Sequence, residues 1–302
     1  MFDLLFLGTG ASVPSRDRAL PCVAAKRGPD IILFDCGEGS QRQFMISRFS
    51  FMKIRAIFIT HLHGDHFYGL PGLLQTMGMS GRKDPLLVCG PPGFSSALEL
   101  CMGVCEGEIG YPLEMRDVEP GDVIPVNDMT VSVFKTEHGI VSQGYVLREP
   151  DIRGKIDTQK ARELGLHGSD YRRLERGETV NGVTLADITS EPKPGKSIAY
   201  TGDSLKCQSI IDAVAGVDVL IHESTYLSGD SDYAVAHNHS TAKDAAETAL
   251  EAGVGTLMLV HISNRYKDRT PLLEEARQTF PETFAPADLD LFTMTKAGLR
   301  SA

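Results

Sequence analysis

The stretch Thr60-His61-Leu62-His63-Gly64-Asp65-His66 follows the run Arg55-Ala56-Ile57-Phe58-Ile59. That run is β-branched and aromatic and has the length of a buried strand. It ends in four potential metal ligands within six residues, His61, His63, Asp65 and His66. Gly64 sits among them, where a backbone without Cβ turns freely. Imidazole and carboxylate ligands with no thiolate nearby suit zinc and leave manganese and iron open. His61 and His63 can share one ion, while Asp65 and His66, past the turn, can reach a second. A polar loop that merely happens to be His-rich is the plainer alternative, and such tight packing of ligands after a strand argues against it.

Around this stretch the composition is that of a globular protein, with 302 residues, 42% hydrophobic and 23% charged. The length suits one large domain or two halves. A net charge of −10 and a pI near 5.4 exclude a generally nucleic-acid-binding surface, so RNA or DNA would need a local basic feature and metals. The cysteines, Cys22, Cys36, Cys89, Cys101, Cys105 and Cys207, form no C-x-x-C pair. Cys101 and Cys105 would share one helix face, a packing arrangement. The opening Met1-Phe2-Asp3 lacks a basic leader, and no apolar run approaches 18 residues. These features predict a cytoplasmic chain with free thiols and no membrane association.

Along the chain, strands are expected at residues 2–7, 30–34, 85–89, 197–200, 217–221, 256–260 and 289–294, and a hairpin-like β region at 113–147 holds two more, 130–134 and 144–147. Helices are expected from Gln41 to Ser47, near Pro71, over 94–105 and near Leu205 to Ala215. Thr241 with Asp244 reads as a capping box for a helix that ends before Gly253. Thr270 with Pro271 reads as a further helix start. Residues 148–182 lack apolar periodicity. Between Arg148 and Arg176 they hold eight Lys or Arg against six Asp or Glu, in an acidic chain. The segment reads as an insertion between core strands rather than a second domain, and by itself as a solvated excursion.

Five strand-like runs end on acid–base or ligating residues. They lead into the His61 cluster, His138, Asp203, His222 with Glu223, and His261. Active sites gather where strand ends bring distant loops together.

With these residues in place the chain resembles the metallo-β-lactamase superfamily, through His61-Leu62-His63-Gly64-Asp65-His66, His138, Gly202-Asp203, His261 and Asp35. Within it, the chain is similar to the ribonuclease Z family in its short form. The narrower likeness lies in Gly69-Leu70-Pro71-Gly72, Gly81-Arg82, Gly90-Pro91-Pro92-Gly93, His222-Glu223-Ser224-Thr225, His239-Ser240-Thr241 and His261-Ile262-Ser263-Asn264-Arg265-Tyr266.

The resemblance implies an α/β fold, a four-layer αββα sandwich over residues 1–302 with an inserted tRNA-binding arm at 150–180. It implies two zinc ions, one on His61, His63 and His138, the other on Asp65, His66 and His261, with Asp203 bridging. Paired ions about 3.5–4 Å apart clamp both oxygens of an in-line phosphodiester displacement. It further implies catalysis by Asp65, which orients the nucleophile, and by His239 as proton donor with Glu223 as its partner. Asp35 would anchor the metal loop and His222 would support the ligands. Ser263 and Arg265 would contact phosphate, or Arg265 would form an internal ion pair. The implied reaction is endonucleolytic removal of the 3′ trailer from precursor tRNA by a homodimer. The arm would position RNA through Arg153, Lys155, Lys160, Arg162, Arg172, Arg173 and Arg176. The chain departs from the family at Gly168-Ser169, where a Gly-Pro pair is usual, and at Arg18-Ala19, where Arg-Asn is frequent. The nearest rival is a small-molecule phosphodiesterase or thioester hydrolase with the same ligands; a catalytically silent RNA-binding subunit would have no need of them.

Overall fold

Alternation along the first strand decides how the chain layers. In the computed structural model, which describes residues 2–104, 109–295 and 298–301, Phe2, Leu4 and Phe6 enter one core while Leu5 and Leu7 enter another. A strand that is apolar on both faces needs cover on both sides.

Among the described residues, six strands come first: β1 (Phe2–Gly8), β2 (Cys22–Arg27), β3 (Asp30–Phe34), β4 (Ile54–Phe58), β5 (Leu86–Gly90) and β6 (Leu113–Asp117). Seven follow: β7 (Val123–Val126), β8 (Met129–Lys135), β9 (Gln143–Arg148), β10 (Ser197–Tyr200), β11 (Val219–Glu223), β12 (Thr256–Val260) and β13 (Thr283–Phe284). Two close the chain, β14 (Leu291–Thr295) and β15 (Gly298–Ser301). One sheet runs β15-β14-β1-β2-β3-β4-β5-β6 and the other β13-β12-β11-β10-β9-β8-β7.

The inner faces meet in one core that includes Phe34, Phe58, Tyr145, Tyr200 and Ile221. Outside the first sheet, Phe44, Leu70, Leu73, Leu74, Met77 and Leu98 pack from helices. Outside the second, Ala242, Ala245, Ala246 and Ala249 form the buried stripe of helix Ala242–Ala252. Thr241 and Asp244 cap that helix reciprocally, and Gly253 ends it at φ 63°, where glycine carries no Cβ penalty. The result is the expected αββα sandwich.

Strand direction then places the loops. β10, β11 and β12 are parallel, and β8 runs with them because β9 is antiparallel to both β8 and β10. Their C-terminal ends therefore share one sheet edge, from which His138, Asp203, Glu223 and His261 are delivered. β3 and β4, also parallel, deliver Asp35 and the His61 stretch from the other sheet.

Several elements differ from expectation. The region 113–147 is no single hairpin, since β6 pairs with β5 while β7, β8 and β9 belong to the second sheet. The helix near Pro71 begins at Gly69, and proline is tolerated there because a first-turn residue has no intrahelical N–H bond to lose. Arg269, not Thr270, is the N-cap residue of the last helix, with the Asp268 carboxylate accepting from the Thr270 amide at 2.9 Å. The helix near 205–215 spans only Gln208–Ala213. Cys105 lies outside the described residues. Among those described, Cys22, Cys36, Cys89, Cys101 and Cys207 are free thiols, and no helix is long and apolar enough to cross a membrane.

Residues Glu149–Gly195 form a compact unit of their own, longer than the 150–180 that the resemblance implies. Ala161, Leu166, Leu174, Val180, Val183 and Ile188 make its core around the short helices Thr158–Glu163 and Gly168–Glu175. Bridges between Ile152 and Lys193 and between Ile156 and Thr189 join its two ends. Over this whole unit eight basic residues stand against nine acidic ones.

Arg82, singled out in the sequence, is a buried structural clamp. Its guanidinium donates to the carbonyls of Ile54, Pro85 and Asp84 at 2.8 Å each and lies over the Tyr111 ring. Arg82→Leu leaves those carbonyls unpaired and is expected to lower the unfolding free energy by about 2–4 kcal/mol in urea titration. An unchanged midpoint would show that the clamp carries no stability.

Candidate metal centre

The site is assembled from Asp35 upwards. Asp35 follows β3 at φ 55° and is fully buried. Its carboxylate accepts from the Thr60 amide (2.8 Å), the Thr60 hydroxyl (3.0 Å), the Tyr200 hydroxyl (2.8 Å) and His66 Nδ1 (2.6 Å). One side chain thus pins the turn after β4, the end of β10 and the helical turn Gly64–Phe67. It supports the ligands rather than joining them.

Two donor groups form above it. In the first, His61, His63, His138 and Asp203 bring ligand atoms within 4.8 Å of one another. His63 Nδ1 lies 3.0 Å from His61 Nε2 and 3.2 Å from His138 Nε2, and Asp203 Oδ2 is 3.7 Å from His61 Nε2. In the second, Asp65, His66, Asp203 and His261 do the same. His66 Nε2 is 3.3 Å from Asp203 Oδ1, and His261 Nε2 is 3.3 Å from Asp203 Oδ2 and 3.5 Å from Asp65 Oδ2. Asp203, 2% exposed, belongs to both. Nε2 of His66, Nε2 of His261 and Oδ1 of Asp203 are buried without a hydrogen-bond partner among the described residues. Buried polar atoms left bare cost free energy, and a cation lodged among them satisfies all three. The residues fit a metal.

Electrostatics differ between the two groups: in the second, burial draws His66 down but Asp203 and Asp35 outweigh it and lift it well above its usual range. Burial, then the charge of His66, holds His61 well below its usual range, and burial with His138 lowers His63, so both favour the neutral, ligating form. Burial pushes the Asp65 and Asp203 carboxyls up, but the imidazoles of His261 and His66 outweigh it and keep both ionised. His63 is exposed, and beside His138 opens a cleft of about 650 Å³ that Lys135, Ile140, Val141 and Asn238 help to line.

Next to the second group, His239 Nδ1 donates to Glu223 Oε1 at 2.8 Å. Burial draws the His239 imidazolium down, yet the Glu223 carboxylate and Asp203 more than offset this and lift it to about 9. Glu223 is itself buried and accepts from the Ser204 amide at 2.8 Å.

The structure brings together His61, His63, Asp65, His66, His138, Asp203, Glu223, His239 and His261. His222, in β11, finds only the Glu223 carbonyl (2.7 Å), not a ligand. Arg265 forms the internal ion pair, with Asp230 at 3.2 Å, and lies over Tyr226 and Tyr233. Sequence reasoning gave no role to Ser12, whose amide donates to Asp65 Oδ2 at 2.9 Å from a left-handed conformation (φ 59°). Arg18, named in the sequence only for its neighbour Ala19, donates to the Tyr266 carbonyl at 2.8 Å and braces the loop after His261. Tyr200 was missed too, although a tyrosine ending a buried aliphatic strand signals a hydroxyl that needs a partner.

If Asp203 serves both groups, Asp203→Ala should weaken zinc uptake at each by more than the roughly 10–100-fold typical of a lost supporting partner, with the metal-free fold retained. Two ions per chain at unchanged affinity, read by chelator competition, would contradict the shared ligand.

Residues 161–262 match the beta-lactamase superfamily domain model, and residues 2–164 fall within the family described as Anti-Pycsar protein Apyc1. Ribonuclease Z of Bacillus licheniformis is 40% identical over 297 residues, covering 95% of this chain and 97% of its own. Ribonuclease Z of Archaeoglobus fulgidus is 39% identical over 299 residues, covering 95% and 96%. The crystal structure of human tRNase Z, short form, matches with a TM-score of 0.71 at 26% identity, over 97% of this chain and 99% of that one. At such identity along nearly the whole of both sequences, the chain belongs to the ribonuclease Z family.

Proposed function

We propose that the chain is a zinc-dependent endoribonuclease that removes the 3′ trailer from precursor tRNA, leaving a 3′-hydroxyl on the tRNA and a 5′-phosphate on the trailer. The observation that carries this reading is Asp203 placed between two histidine-rich donor groups, with the Glu223–His239 pair beside them. His61, His63 and His138 would hold one zinc and Asp65, His66 and His261 the other, with Asp203 common to both; manganese or iron fit the same donors. When bound, such ions neutralise phosphate charge and supply a nucleophilic water at neutral pH.

The chain's own residues do the rest. Asp65, fixed by the Ser12 amide, orients the attacking water. His239, lifted by Glu223, is protonated at neutral pH and donates its proton to the departing 3′ oxygen, a poor leaving group as an alkoxide. Glu223 keeps the His239 ring turned towards that oxygen through its Nδ1 bond. The unit at 149–195 serves as the tRNA-binding arm, through its exposed Arg153, Lys155, Lys160, Arg162, Arg172, Arg173 and Arg176. Arg153 pairs with Glu175 and Arg173 with Glu178, so the remaining five do most of the phosphate binding. The working form is a cytoplasmic homodimer.

The direct test incubates the zinc-loaded protein with precursor tRNA, a simple phosphodiester and a thioester. One internal cut at the trailer junction supports the reading. Hydrolysis of the small substrates with intact precursor tRNA would replace it with a small-molecule hydrolase.

His239→Ala should slow cleavage by roughly 10²–10⁴-fold at unchanged metal content, and much less for a phosphodiester with a good leaving group. Equal slowing of both would remove the proton-donor role.

Residues 152–193, whose ends pair, can be replaced by a short Gly-Ser linker. Activity on a chromogenic phosphodiester should persist, while KM for precursor tRNA rises. The salt dependence of binding should weaken by about 0.7–0.9 in log–log slope for each phosphate that the unit had neutralised. An unchanged KM and slope would make the unit irrelevant to RNA.

A further inference from the structure

One histidine in each donor group is tied to a buried carboxylate through a threonine hydroxyl. In the first, Thr60 Oγ1 is 3.0 Å from Asp35 Oδ1 and 3.0 Å from His61 Nδ1. In the second, Thr225 Oγ1 is 2.6 Å from Glu223 Oε2 and 2.8 Å from His261 Nδ1. The two chains arise from different sheets, yet they have the same order: carboxylate, threonine, imidazole.

Counting protons fixes the direction of each chain. Asp35 accepts from the Thr60 amide and the Tyr200 hydroxyl, and Glu223 from the Ser204 and Thr225 amides, so both are acceptors, as carboxylates must be. Each threonine has one proton, and it goes to the carboxylate. The oxygen is then left as an acceptor, and the imidazole Nδ1 must carry the proton that it receives. With Nδ1 protonated, a neutral imidazole presents a bare lone pair at Nε2. Those Nε2 atoms face Asp203, at 3.7 Å for His61 and 3.3 Å for His261.

Thr225 has a second reason to be exact in place. Its carbonyl accepts from the Ser263 amide (3.3 Å), and the neighbouring Ser224 amide donates to Val260 (2.9 Å), so the hydroxyl is held against the segment that bears His261. His261 itself adopts φ 56°, a conformation that a histidine keeps only when its surroundings impose it. Glu223 meanwhile gives its other oxygen to His239.

We propose that Thr60 and Thr225 are positioning residues that set the tautomers of His61 and His261, readying one ligand in each group, and that Thr225 links the second group to the Glu223–His239 pair through a single carboxylate. This rests on the metal reading of the site. Each threonine acts through the histidine that it orients, at Nδ1, the ring nitrogen turned away from Asp203.

The test has two arms. In the metal-free, unsubstituted protein, ¹⁵N-histidine long-range correlation spectra should show His61 and His261 protonated at Nδ1, the signals being assigned by their loss in His61→Asn and His261→Asn. A ring protonated at Nε2 with Nδ1 bare, in either residue, would overturn the proposal for that residue. In the second arm, zinc affinity is measured by chelator competition. Thr225→Val, which keeps shape and removes the hydroxyl, should weaken one of two binding events by roughly 10–100-fold, and Thr225→Ser should restore it to within a few-fold. Unchanged affinity in Thr225→Val, or a Thr225→Ser as weak as the valine variant, would show that the hydroxyl is not what matters. The tautomer is read without any ion, so an unsubstituted protein that bound no second zinc would count against the metal reading while the spectra still decided the relay.

Discussion

A carboxylate buried to zero exposure must find its hydrogen bonds inside the protein, and Asp35 finds them on both sheets. Thr60 and His66 answer from the stretch after β4, and Tyr200 answers from the end of β10. Leaving any of these donors unpaired in the core costs on the order of 1–3 kcal/mol. The two sheets therefore cannot slide past one another without breaking bonds at the point where the ligands emerge. The rest of the site inherits its geometry from that lock: the His61 stretch is held above Asp35, and Asp203 stands three residues beyond Tyr200.

Above the lock, Asp203 is a second buried carboxylate with the opposite character. It is surrounded by imidazole nitrogens that are bare towards it, not by donors committed to it. Three residues at the same place, Ser12, Asp35 and His261, are in the left-handed region. Strained backbone persists where surrounding bonds over-determine it, as at functional sites. The loop of residues 9–18 supplies part of that determination, because it reaches Asp65 through Ser12 and the His261 loop through Arg18. A chain that invests this many constraints in one cluster is built for tight positioning of charge.

The ligands were legible in the sequence because each follows a strand, and strands announce themselves by alternation or by buried runs. His61 to His66, His138, Asp203 and His261 needed only that regularity and their own chemistry. Asp35 was legible as an anchor for the same reason. What escaped was carried by backbone or by small hydroxyls. The Ser12 amide leaves no trace in residue type, and Thr60 and Thr225 look like ordinary strand-end threonines until both neighbours are seen. The compact unit at 149–195 was blurred because helices of six and eight residues are too short to show a period, and its core is scattered between Ala161 and Ile188. Its charge also reads differently once its true end is known, since Glu178, Asp187 and Glu191 cancel the basic excess seen up to Arg176.

The central claim is that one buried aspartate joins two metal pockets. Anomalous diffraction from crystals of the zinc-loaded protein, recorded on both sides of the zinc absorption edge, tests it without reference to activity. Two peaks per chain are expected, one among His61, His63 and His138 and one among Asp65, His66 and His261, each within coordination distance of Asp203, about 2.0–2.2 Å for a zinc–carboxylate bond. A single peak at saturating zinc, or two peaks of which either lies beyond the reach of Asp203, would contradict it.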